Sequence, residues 1–113
     1  MASKTNRLTQ NRDIEILAAS EFKKQLSTLT FVGGREFHSV DSNGICSFRL
    51  QEKFHDTGDY PFNALVTLVE IDTNLNQLAK LYNISGTLSL QYIGNKDDKP
   101  LITFNNEISC HVK

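Results

Sequence analysis

The residues able to carry acid–base or metal chemistry are few and scattered. The chain of 113 residues has three histidines, His38, His55 and His111, and two cysteines, Cys46 and Cys110. His55 and Asp56 are neighbours, and an imidazole beside a carboxylate is a pairing used for proton transfer. Adjacent side chains on a loop diverge unless a fold aims them, so this pair reads as a solvated loop. The cysteines show no C-x-x-C spacing and have no histidine at ligand distance, which argues against zinc and redox motifs. Both fall on apolar strand faces and read as buried free thiols. Gly33-Gly34 lacks the strand, glycine-rich loop and helix of a phosphate cradle. Glu70 and Asp72 close a strand-like run, where Asp72 reads as a helix N-cap. No cofactor, metal or enzymatic activity is expected.

A second set of residues suits binding. Arg35, Arg49, Lys53 and Lys96 can track phosphates, and Phe37, Phe54, Tyr60 and Tyr92 can stack on bases. The competing fate of each ring is the core. Phe31, Phe48, Phe62 and Phe104 read as core. Phe37 alternates with Arg35 and Ser39 and reads as exposed. Phe54 and Tyr60 flank a polar loop that they can equally pin down. Tyr92 shares the apolar face of its strand, which favours a buried ring with its hydroxyl at the rim. Lys96 and Lys99 are balanced by Asp97 and Asp98. The formal net charge of −1 excludes a bulk basic field of the kind that coats duplex DNA. It leaves room for a local groove in which stacking carries part of the affinity.

These residues need a scaffold, and the chain supplies mostly strands. Apolar residues make up 39%, enough for a folded domain without disulfides. Residues 1–12 read as a flexible tail, and 13–113 as one domain. Residues 13–25 read as a helix with Ile14, Leu17, Ala18 and Phe22 on one face, capped by Asn11 or Asp13. Residues 26–32 are β-branched and aromatic, a strand interrupted by Gly33-Gly34 and resuming at 35–40. Asp41-Ser42-Asn43-Gly44 reads as a hairpin turn. Residues 45–52 alternate, with Cys46, Phe48 and Leu50 on the core face. Pro61 opens a very apolar strand, 62–71, expected to be covered on both sides.

In residues 74–83, Leu75, Leu78, Ala79 and Tyr82 recur at helical spacing, so a short helix is predicted there. Residues 84–93 and 101–112 alternate clearly, joined by a loop over 94–100. Asn105-Asn106 marks an expected bulge. Three strands, a helix and two strands is the order of a five-stranded OB-fold barrel, so the fold class expected is mainly β, with an N-terminal helical extension.

The run from Leu29 to Phe54, with Ser47-Phe48-Arg49-Leu50 at its centre, resembles the first hairpin of bacterial and phage single-stranded DNA-binding proteins. Residues 65–108 resemble the second half of that domain, and Gly86 stands where the family carries a strand glycine. The chain departs from the family in having no tryptophan and no acidic C-terminal tail. The resemblance implies a non-enzymatic protein that binds single-stranded DNA, or RNA, with little sequence preference, as a homo-oligomer. It also suggests a phage or other mobile-element relative. The alternative is an adaptor or inhibitor that binds protein with the same barrel. No apolar signal segment and no membrane-length run appear, so a cytoplasmic location and no membrane contact are expected.

Overall fold

The computed structural model describes residues 10–55, 57–92 and 100–113. The described residues are mainly β, with one α-helix and five strands among them: α1 (Asn11–Gln25), β1 (Thr30–Phe31), β2 (Ser39–Leu50), β3 (Gly58–Ile71), β4 (Gln77–Gln91) and β5 (Leu101–Val112). The strands form one open sheet in the order β1-β5-β4-β3-β2. From β2 to β5 it is an antiparallel meander, and β1 adds in parallel to β5. β1 and β2 are therefore the two edges, not neighbours closing a barrel.

Most of the expected tail, 1–9, lies outside the described residues, while Asn11 and Arg12 already belong to α1. The helix has the expected face, with Ile14, Ala18 and Phe22 fully buried. Neither expected cap residue caps it. Asn11 instead donates from Nδ2 to Glu52 O at 2.9 Å and accepts from Phe54 N–H at 2.6 Å. At the other end Gln25 donates to Ile102 O at 3.0 Å. The helix thus crosses the sheet diagonally, pinned near β2 at its start and to β5 at its end.

Under it lies an aromatic core. Phe22 meets Phe104 edge-on at 5.8 Å, and Phe48 stacks on Phe62 at 5.0 Å. Tyr60, Phe62, Ala64, Val66 and Leu68 of β3 are buried, while Asn63, Leu65 and Thr67 on its opposite face are only half-buried. The sheet is therefore covered on one side, correcting the two-sided burial expected for β3. Across the uncovered side Arg49, Asn63, Ser85 and Ser109 form one transverse row. The core is tight at Gly86, where a Cβ would come within 3.1 Å of the Phe62 ring.

Three segments differ from expectation for local physical reasons. Leu26–Thr28 is a 3-10 turn, so the first strand shrinks to two residues, and Gly33 and Gly34, at φ of 83° and 69°, end it. Asp41-Ser42-Asn43-Gly44 is a bulge inside β2 rather than a hairpin, since Val40 pairs with Leu68 and Ile45 with Val66. Three extra residues loop out, and a Cβ at Gly44 would sit 2.7 Å from Thr67 O, so only glycine fits. A second slip between Ile45 and Ser47 turns Cys46 out of the core face, and its side chain is exposed.

The third difference is the largest. The helix predicted between the third and fourth strands is absent, and its second half is β4. Ladder pairing of Leu78 with Glu70 and of Ala79 with Val69 decides the matter. Leu78 and Tyr82 satisfy a period of two as well as one of 3.6, so the helical spacing was a coincidence of the two periods. The β5 bulge is where it was expected: Thr87 pairs with Asn105 and Ser85 with Ser109, leaving two extra residues in β5.

Candidate interaction surface

Of the eight residues expected to bind nucleic acid, the seven that are described do not share a groove. Arg35 and Phe37 do come together, in a cluster at the surface where Arg35 stays exposed but is engaged by neighbours. Arg35 donates to Glu70 Oε1 at 3.1 Å and to the Tyr82 hydroxyl at 2.7 Å, and the Tyr82 hydroxyl also bonds Glu70. The guanidinium lies 5.5 Å from the Phe37 ring centre and 5.1 Å from that of Tyr82. Phe37 is half-buried and meets Phe31 at 4.8 Å. Phe37 thus covers Phe31 and Tyr82 at the end of the core, and Arg35 lies over both its ring and that of Tyr82.

Phe54 and Tyr60 are buried against each other at 5.5 Å and pin the β2–β3 loop, the reading weighed against stacking. Tyr92 is half-buried and packed on the core. Arg49 and Lys53 are exposed on the open sheet face and on the loop. Lys96 lies outside the described residues, as do Asp97, Asp98 and Lys99.

The chemical candidates also separate. His55 is exposed with its ring 5.8 Å from that of Tyr60, and its neighbour Asp56 lies outside the described residues. Among the described residues no group of three His, Cys, Asp or Glu side chains could hold a metal ion. Cys46 on β2 and Cys110 on β5 are separated by β3 and β4, about 14 Å at usual strand spacing, too far for a disulfide. Cys110 is buried as expected, and its thiol is pushed up by burial, an effect partly offset by Arg35 and reinforced by Glu70. No helix among the described residues is long and apolar enough to cross a membrane.

A feature that the helix reading concealed stands at the far end of the sheet. The last β2 contact to β3 is at Val69, and the last β5 contact to β4 is at Leu81. Beyond these, residues 70–78 form a short two-stranded arm: Glu70 pairs with Leu78 and Ile71 with Gln77, and residues 72–76 close it. Its turn is built by Asp72. The Asp72 carboxylate accepts from the N–H groups of Asn74 and Asn76 at 2.9 and 2.8 Å, and Asp72 N–H donates to Asn76 O. The residue read as a helix N-cap does cap backbone amides, but those of a hairpin loop.

Leu75 occupies the position of this loop that needs a left-handed backbone, with φ of 65°. Three-residue hairpin loops usually place glycine there. Leu75 is 83% exposed, and Ile71 (46%) and Leu78 (39%) flank it on opposite faces of the arm. An isolated ribbon gains little from such residues in water. The tip therefore combines backbone strain with exposed apolar side chains, and neither stabilises the fold. The signal in the sequence was Asp-Thr-Asn-Leu-Asn between two strand-competent runs, a turn composition that the apolar spacing outweighed.

Comparison with known proteins adds no relative: no family model, no curated protein and no solved structure matches this chain.

Proposed function

We propose that this protein is a non-enzymatic interaction module that engages a partner protein with the β3–β4 arm. The observation that carries this reading is Leu75, strained and almost fully exposed at the tip, between Ile71 and Leu78. Strained backbone persists where surrounding structure holds it, and it clusters at functional sites. Leu75 at the tip, with Ile71 on one face and Leu78 on the other, gives a protruding element that a partner can clasp from both sides. Burying the apolar surface these three side chains still expose, at about 25 cal/mol per Å², can anchor a complex.

Single-strand DNA binding, the function implied by the family resemblance, is the second reading. Its support is Arg49 at the β2 end of an uncovered row that continues through Asn63, Ser85 and Ser109, with Lys53 nearby in sequence. An OB-type groove would have to form around these residues, without Phe54 and Tyr60, which are in the core.

One experiment separates the two readings. The tagged chain and an Ile71→Ser/Leu75→Asn variant of unchanged circular dichroism are compared for retained proteins and for labelled oligo-dT binding. A defined protein held by the parent and lost by the variant, with no oligo-dT binding at micromolar protein, supports the module. Equal retention by both chains, or oligo-dT binding abolished by Arg49→Glu, overturns it.

A further inference from the structure

A groove runs along the free edge of β2, on the side of Ile45 to Arg49 away from the arm. One wall is α1, whose Arg12, Glu15, Ile16 and Ala19 recur at one-face helical spacing. The other wall is residues 45–49 of β2. Its volume is 390 Å³, within the range of about 300–1,000 Å³ of small binding pockets.

The backbone at this edge is turned toward the groove. Gln51 N–H donates to Pro61 O at 2.8 Å, so residues 51, 49 and 47 bond toward β3. In an antiparallel ladder the residues between them point the other way. Leu50 N–H does so, donating to Glu15 Oε2 at 2.9 Å. By the same alternation the N–H and C=O of Phe48 face the groove. Proteins ordinarily protect such an edge with a charge, a proline or a covering element. Here one amide is capped by Glu15, and the next opens into a groove also lined by Ile16, 60% exposed, and the half-buried Ile45.

Charge narrows the occupant. Glu15 is committed to Leu50 N–H. Arg12 and Arg49 line the groove, and neither has an acidic partner among the described residues. We infer that this groove accepts a short extended segment of a partner protein, apolar at its centre and acidic at its ends, which adds to β2 as a further strand. Main-chain bonds to Phe48 would supply the register, and the apolar floor and the two arginines would supply the preference. This second site is independent of the arm.

The test uses the purified chain and a fluorescein-labelled pentapeptide, EVIVE. Anisotropy should show saturable binding, and hydrogen exchange should show Phe48 N–H newly protected. The peptide KVIVK should bind at least about tenfold more weakly, and Arg49→Glu, alone or with Arg12→Glu, should shift the preference toward it. Methylating the central peptide nitrogens should abolish binding, and Leu75→Gly should leave it unchanged. Equal affinity for the two peptides, indifference to methylation, or no binding at millimolar peptide would overturn the inference. A concentration-dependent dimer that protects Phe48 without peptide would also overturn it, by assigning the groove to a second copy.

Discussion

Replacing Leu75 by glycine should stabilise the arm while removing its function. A side-chain-bearing residue in the left-handed region costs about 1–2 kcal/mol. Glycine avoids that cost but gives back about 0.5–1 kcal/mol through the greater freedom of its unfolded chain. Leu75 is 83% exposed, so its residual burial is small and its loss offsets little more. The net expectation is a gain of about 0.5 kcal/mol in the opening free energy of the arm, a roughly twofold slowing of local exchange. The amide to follow is Asp72 N–H, which closes the loop on Asn76 O and precedes the mutated site. Leu75→Ala is the control. It removes nearly the same side chain but keeps the strain, so its exchange should not slow. Both variants should lose partner retention by about tenfold or more, as expected when a central apolar anchor is removed. Exchange at Asp72 that speeds up in the glycine variant, or that slows equally in the alanine variant, would refute the strain argument.

Other consequences follow from the fold. Gly44→Ala forces a Cβ to 2.7 Å from Thr67 O and 2.8 Å from Asp41 O, so the bulge must shift; a loss of about 1–3 kcal/mol in urea unfolding is expected. Phe22→Ala removes the ring that touches Phe31, Phe48 and Phe104 and should cost about 3–5 kcal/mol, with a matching fall in the urea midpoint. In the folded chain a thiol reagent at pH 8 should label the exposed Cys46 and spare the buried Cys110. Because the folded Cys110 thiol is raised above its ordinary 9.0, the folded state holds the proton more tightly. Its contribution to stability is full below pH 9 and declines as pH rises above it; Cys110→Ser should flatten that decline in pH-dependent unfolding.

Much of the scaffold was legible because one face of each long strand is buried. The alternation in β5 and in the latter half of β4 was read correctly, as was the Ile14, Ala18, Phe22 face of α1. Where reading failed, a non-local contact overrode a local pattern. Asp41 to Gly44 has the composition of a hairpin turn, yet β3 runs past it unbroken and turns it into a bulge. Leu78 and Tyr82 fit both periods, and pairing with β3 chose the strand. The site was less legible for a related reason. Arg35 and Phe37 look like free binding residues in one dimension, but Glu70 and Tyr82 come from strands more than thirty residues away and engage them. Leu75 was hidden because a leucine in an apparent helix reads as core.

The central claim is that the tip of the β3–β4 arm is the surface a partner covers. The most direct measurement is photocrosslinking with a benzophenone side chain placed at position 75, compared with one at the exposed Gln91 near the opposite end of β4. A discrete protein adduct from position 75, absent from position 91 and suppressed by Ile71→Ser, is the expected result. No adduct from position 75, or the same adducts from both positions, would contradict the claim.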